Sequence, residues 1–343
     1  MTTHEREITA PVNLADDDGR LLNPQARGWS RVPLHTANLR GVWGRTKRWD
    51  YWAILAGDLV ISGVYADVDY LGSTDITWFD LPNNERGGRG YGVPDAIGMS
   101  LPEMSGASPL VARSRNFEID AHDDAAGNTH ITATWKEKDG RPGSLETVIE
   151  LPAVHESLSV VIPWSDKRYQ FTTKHQARPS HGTLQVGDRV WEFGVTDDAW
   201  GVVDIGRGRW PYNTNWNWGG GAGRTPDGTV IGLQYGAKWT EGTGATENGI
   251  IVNGRLHKIG RELDWQYDWD NAMKPWRIVD PEGQIDVTLT PRYDKYDKLE
   301  LKVMRRETHQ VFGTWNGHVV DDDGRRHEIV GFQGFAEESR AKW

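Results

Sequence analysis

Turn chemistry recurs about every ten residues along this chain, and that spacing confines it to short strands. Turn signals such as "DAAGN", "KDGRPG", "PDG", "NG" and "PEG" separate segments such as "THITATWKE", "SLETVIELP", "TVIGLQYGAKW" and "IDVTLTPRY". Many of these strand segments alternate β-branched or aromatic residues with polar ones. A period of two buries one face of a strand, and many short strands of even spacing build a sandwich or a barrel. Long Ala/Leu/Glu/Lys tracts at helical spacing are nearly absent. The expected class is all-β and antiparallel. The polar, Pro-containing residues 1–35 read as an arm that packs irregularly on the body. A break at 176–187, around "ARPSHG", divides the rest into barrel-like halves over 36–175 and 176–343. A weak echo between "KRWDYWAILAGDLVISGVYADVDY" and "GRWPYNTNWNWGGGAGRTPDGTVIGLQYGAKW" fits two units of similar design. The Gly-rich "NNERGGRGYGVPDAIG" reads as a long loop.

Such a fold needs a core, and only 37% of the 343 residues are hydrophobic. The 18 Trp, with Tyr and Phe, can supply the area, since each ring buries more than an aliphatic side chain. The net charge is −10 with both signs interspersed, so there is no basic stripe and nucleic acid is not an expected partner. Absence of Cys excludes disulfides and thiolate chemistry. The N-terminal stretch lacks the apolar centre of a signal peptide, and no run of 18 apolar residues occurs. The expectation is a cytoplasmic protein without a transmembrane segment. The 11 His show no metal-site spacing, "GGGAGR" lacks the Lys-Ser/Thr end of a phosphate loop, and no GxSxG occurs. No metal or cofactor is expected. "DDDG" at Asp321–Gly324 reads as a hairpin turn.

The candidate chemistry lies in aromatic residues and carboxylates. In "RWPYNTNWNWGGG", Trp216 and Trp218 share one strand face and Asn217 points the other way. These indoles are either core plugs or the wall of a site for an apolar or cationic group. The following glycines are expected to let a loop fold over the mouth. On "DLVISGVYADVDYLG", Tyr65, Asp67 and Asp69 share one face. If that face looks into a cavity, burial raises a carboxyl pKa and makes a general acid. Asp69 is the first candidate. Asp50, inside the Trp49–Trp52 cluster, is the second. Glu247 in "TENG" is the third, with Asn248 placed to orient it. Tyr65, Trp52, Asp67, Trp216, Asn217 and Trp218 are the candidate substrate contacts, and Arg209 could fork onto an anionic tail. The alternative for each carboxylate is structural: it holds a loop through backbone N–H groups, which lowers its pKa.

Several stretches resemble a bacterial family defined only as a domain of unknown function. They are "RWDYWAI", "LSVVIPWSDKRYQFTTKH", "DIGRGRWPYNTNWNWGGG", "TENGIIVNGRLHKI" and "GFQGFAEE", spread from about residue 30 to the end. That family is remotely similar to the hydroxyneurosporene synthase (carotenoid 1,2-hydratase), AttH-like and tocopherol cyclase group. The remote likeness rests on the early Trp-rich strand and on a late Gly-x-x-Glu, here Gly334 and Glu337. It implies two lipocalin-like (calycin-like) β-barrels packed together around a deep ligand cavity. It also implies a small hydrophobic, isoprenoid-type substrate that is hydrated, isomerised or cyclised under acid catalysis. The early motif "RWDYWA" departs from the Glu-Trp-Trp-Tyr core of the hydratases. A hydrophobic-ligand carrier and a carbohydrate-active protein are the rival readings.

Overall fold

A computed structural model describes residues 3–301 and 304–343. The two first residues of the expected arm, and residues 302 and 303 of the expected strand from Leu301, lie outside the described residues. The chain is all-β, with two lipocalin-like antiparallel barrel halves and, among the described residues, only two short 3₁₀ turns. In chain order the strands are β1 (Val12–Asn13), β2 (Trp29–Ser30), β3 (His35–Thr36), β4 (Thr46–Ala56), β5 (Leu59–Asp67), β6 (Leu71–Asp80), β7 (Glu85–Pro94) and β8 (Leu110–Ser114). Then come β9 (Phe117–Asp123), β10 (Thr129–Lys136), β11 (Pro142–Ile149), β12 (Leu158–Ser165), β13 (Arg168–Val186), β14 (Arg189–Phe193), β15 (Trp200–Arg209) and β16 (Asn213–Arg224). The last are β17 (Val230–Ala237), β18 (Asn248–Val252), β19 (Arg255–Ile259), β20 (Asp264–Gln266), β21 (Trp276–Val279), β22 (Ile285–Leu301), β23 (Met304–Val320) and β24 (Arg326–Lys342).

The first sheet runs β7-β6-β5-β4-β15-β13-β11-β10-β9-β8, and β12, β14 and β2 pair off that path. It curls into a nearly closed barrel. Near the closure Glu137 accepts from Gly88 N and from the indole N–H groups of Trp78 and Trp135, the last two at 2.8 Å each. Trp52, Ile61, Tyr65, Trp78 and Trp135 fill the interior. The second sheet runs β19-β18-β17-β16-β24-β23-β22-β21-β20 as a half-barrel around Trp276, Trp315 and Tyr235. Residues 176–187, the expected joint, lie almost wholly inside β13 of the first sheet. The chain passes from the first sheet to the second between β15 and β16, at Trp210–Tyr212.

The Gly-rich stretch expected as a loop is instead strand β7. The reason is contact distance: a Cβ at Gly87 would lie 2.5 Å from the Trp78 ring, and one at Gly90 2.4 Å from Asp75 Cβ. The glycines let β7 press flat onto the bulky residues of β6. Gly219–Gly221 likewise lie inside β16 rather than in a loop over a mouth. A Cβ at Gly220 would sit 2.4 Å from Gln176 Nε2, so the missing side chain lets β16 approach β13 of the other sheet. The described arm residues pack Leu14, Leu22 and Ala26 against Val161, Tyr169 and Phe171. No helix of the described residues is long and apolar enough to cross a membrane.

Candidate active site

The strands β4, β15 and β13 lie side by side and separate two cavities. Alternation of side chains decides which residue faces which. Tyr51, Asp204 and Lys174 are register partners across the three strands and face a cavity of about 210 Å³ between the sheets. The neighbouring row of Trp52, Val203 and His175 faces a cavity inside the first barrel. The second sheet closes the inter-sheet cavity with Trp216, Trp218 and Glu337, and β22 and β23 add Lys295, Arg306 and Gln310.

At one end of this cavity three charged groups meet. Lys174 Nζ lies 2.8 Å from Asp204 Oδ2 and 3.1 Å from Glu247 Oε1. Asp204 also accepts from Thr172 Oγ1 and from the Trp49 indole, both at 3.2 Å. Burial opposes the Lys174 charge, but the two carboxylates outweigh it and hold the ammonium above its ordinary pKa. One ammonium can balance only one of the two carboxylates. Glu247 is 1% exposed, and burial drives its pKa from 4.5 to about 7; Lys174 pulls it down and Asp204 pushes it up. The fold makes room for this acid through Gly236 on β17, where a Cβ would lie 2.4 Å from Glu247 Oε2.

The walls are indoles. Trp210 stacks on Trp239 at 5.3 Å and 4°, and Trp49, Trp164, Trp216 and Trp343 surround it with centroids 5.1–5.8 Å away. Lys174 Nζ sits 4.3 Å above the Trp218 ring, whose edge meets Tyr51 and Phe335. Two of the indole donors are occupied in the wall itself: Trp216 Nε1 bonds Glu337 Oε1 at 2.8 Å, and Trp218 Nε1 bonds Gln234 Oε1 at 3.1 Å. Glu337 also accepts from Gln310 Nε2 at 2.9 Å. Burial raises its pKa, against the pull of Arg306 and the Trp216 bond. Trp216 and Trp218 thus present indoles with paired N–H groups to the cavity, whereas Trp343 Nε1 has no partner.

The structure brings Glu247, Trp216 and Trp218 together and disperses the other candidates. Strand β5 ends at Asp67, so Asp69 does not continue its face. It sits in the β5–β6 turn at φ 70° and accepts from Thr46 N at 2.9 Å. Asp67 accepts from Asp69 N and from Arg48. Tyr65 points into the first barrel, where its hydroxyl accepts from Ser100 N, while Val64 and Ala66 of the opposite face line the inter-sheet cavity. Asp50, 2.6 Å from Arg207, and Trp52 line the cavity inside that barrel. Asn217 donates to Tyr267 Oη and Glu337 O. Asn248 accepts from Gly236 N and donates to Arg261 O, which fixes the chain next to Glu247. Arg209 spends its guanidinium on the carbonyls of Gly19, Arg20 and Arg40.

Lys174 is the residue the sequence reading passed over. Its signal is a single cation in "YQFTTKHQ", a run buried throughout. Asp204 in "GVVDIG" carries a similar mark, the one acidic residue of a strand buried throughout that also holds Arg207 and Arg209. A solitary charge there needs a partner from another element.

Solved structures of similar chain course include an AttH-like protein of Nitrosomonas europaea, at 10% identity and TM-score 0.46, covering 86% of this chain and 92% of that one. CghA crystallised with Sch210972 matches at 10% identity and TM-score 0.46, over 96% of this chain and 97% of its own. Kievitone hydratase of Nectria haematococca matches at 10% identity and TM-score 0.46, over 96% of both chains. No curated protein matches the sequence. The chain does match, over residues 5–343, the family described as a domain of unknown function, DUF2804, and it belongs to that family.

Proposed function

We propose that this chain is a cofactor-independent enzyme that protonates an alkene or enol carbon of a hydrophobic, isoprenoid-type substrate in the inter-sheet cavity. The observation that carries the reading is Glu247: a carboxyl 1% exposed, with a pKa near 7, beside an indole-walled space. A general acid works best when its pKa lies near the operating pH. Glu247 gives its proton to the substrate carbon, and the carboxylate left behind is held by Lys174 at 3.1 Å. The developing cation faces Trp210, Trp216 and Trp218, whose ring faces attract positive charge. Water then adds, a ring closes, or a neighbouring proton leaves. Each route releases one proton, which returns to Glu247. The carbohydrate reading finds less support, since Asp204 and Glu247 close on one ammonium rather than flanking open space for a glycosidic bond.

The test is incubation of the purified protein with an apolar extract of its own host in D2O, followed by mass spectrometry. Carbon-bound deuterium in a product, lost in Glu247→Gln, is the expected result. A ligand that is retained but never exchanges or changes mass identifies a carrier and overturns the enzyme reading.

A further inference from the structure

The cavity inside the first barrel has a more polar lining than the one between the sheets. Its volume is about 190 Å³, close to the 210 Å³ of the inter-sheet cavity, so the two differ in lining and not in size. Its lining includes Asp50, Asp123, His35, His175, Thr129 and Arg178. The rim holds the exposed Met104, Gly106, Ser108 and His122.

Two of these buried groups, His175 and His35, have a ring nitrogen without a protein partner. His175 is 8% exposed, stacks on His155 at 5.7 Å, and has no partner for Nδ1. The His35 ring contacts Ala26 O through Nε2 at 2.9 Å, so that nitrogen carries the proton and the unpartnered Nδ1 is an acceptor. Asp50 places one oxygen 2.6 Å from Arg207. Asp123 accepts from Thr129 Oγ1 at 2.7 Å through Oδ1. A Cβ at Gly106 would lie 2.3 Å from Asp123 Oδ2, so glycine leaves that oxygen its room. A buried polar atom without a partner destabilises the fold, and a hydrogen-bonding guest offsets that cost.

The charges choose the guest. Arg207 balances Asp50, and Arg178, held by the carbonyls of Gly127, Ile149 and Glu150, is the main opposite charge on Asp123. Burial keeps His175 and His35 neutral. A cation or an anion would bring uncompensated charge into a balanced site. The carboxylate oxygens and His35 Nδ1 accept, while the neutral His175 ring carries one N–H and one bare nitrogen, so a guest must mainly donate and also accept, which hydroxyls do. We propose that the first barrel contains a second binding site, for a small neutral polyhydroxy molecule. This site does not depend on the acid chemistry assigned to Glu247.

Isothermal titration of the full chain with myo-inositol and D-glucose tests it, with putrescine and inorganic phosphate as charged probes. Saturable binding of a neutral polyol is expected. It should weaken by at least about tenfold in His175→Phe, which keeps a ring against His155, and also in Asp123→Asn. Both variants must unfold cooperatively like the wild type. The proposal is overturned if neither polyol binds saturably (a cavity holding water only), if a charged probe binds in their place, or if both folded variants bind as the wild type does.

Discussion

Lys174 and Glu247 belong to different halves of the molecule, and their 3.1 Å contact joins the two across the inter-sheet cavity. Lys174 lies on β13 of the first sheet; Glu247 immediately precedes β18 of the second. The site is therefore complete only when the halves are docked. Stability and the proposed chemistry share the same groups.

Glu247 should leave a signature in the pH dependence of stability. Its folded pKa, about 7, lies above the 4.5 of the unfolded chain. The native state holds a proton that the unfolded state releases, so the native state loses ground as pH rises from 4.5 to about 7. A shift of that size is worth at most about 3 kcal/mol. Glu247→Gln should remove that loss. Urea unfolding at mildly acid and mildly alkaline pH measures it, and parallel profiles for wild type and variant would refute the raised pKa. Once a substrate is known, wild-type turnover should fall as pH passes about 7, and the variant should lose roughly 10²–10⁴ in rate.

Lys174→Met should be severe, because it leaves Asp204 and Glu247 buried without their cation. Breaking one side of a buried ion pair costs about 3–5 kcal/mol. The double variant with Asp204→Asn should recover most of the loss, since the unbalanced charge is gone. Denaturant unfolding of the two singles and the double gives the coupling. Strict additivity would mean that the 2.8 Å contact contributes nothing.

The fold class was legible because turn residues and two-residue alternation are local. Facing was not. The sequence shows that Tyr65 and Val64 point opposite ways, but both faces of β5 are buried, one in the barrel and one between sheets. Nothing local says which side holds the cavity. Asp69 looked like a third same-face residue because alternation cannot see that the strand stops at Asp67. Glu247, Trp216 and Trp218 could be picked out by residue type and neighbourhood. Their joining to Lys174 depends on how the sheets dock, and the register of β13 against β15 is not written in either strand alone.

Trp218 should contribute to ligand binding through its ring face. Retinol, an apolar isoprenoid, should quench tryptophan fluorescence saturably. Trp218→Ala should weaken that binding by roughly 1–3 kcal/mol if a stacked ring is lost. The same change opens a hole against Tyr51 and Phe335, so stability should fall by about 3–5 kcal/mol. Work below the variant's unfolding temperature separates the effects. A folded variant with unchanged affinity would make Trp218 a packing residue only.

Arg209 should act on the arm rather than on a ligand. It is 0% exposed, and Nη2 donates to Gly19 O at 2.7 Å and Arg40 O at 2.6 Å, while Nη1 donates to Arg20 O. Removing the guanidinium takes the side-chain donor from all three carbonyls; Gly19 O keeps Arg40 N, while Arg20 O and Arg40 O lose the bond that ties the arm to β15. Arg209→Ala should therefore cost roughly 3 kcal/mol or more. Trypsin should cut after Arg20 and Arg27 faster than in wild type, because the opened arm is the species a protease attacks. Arg209→Lys cannot reach three acceptors in one plane and should give most of the same phenotype. Retinol affinity should stay within about 0.5 kcal/mol of wild type in the lysine variant, as expected of a change away from the cavity. An arm that stays protected in both variants, with weaker binding of an anionic ligand, would instead return Arg209 to the role of gripping a substrate's tail.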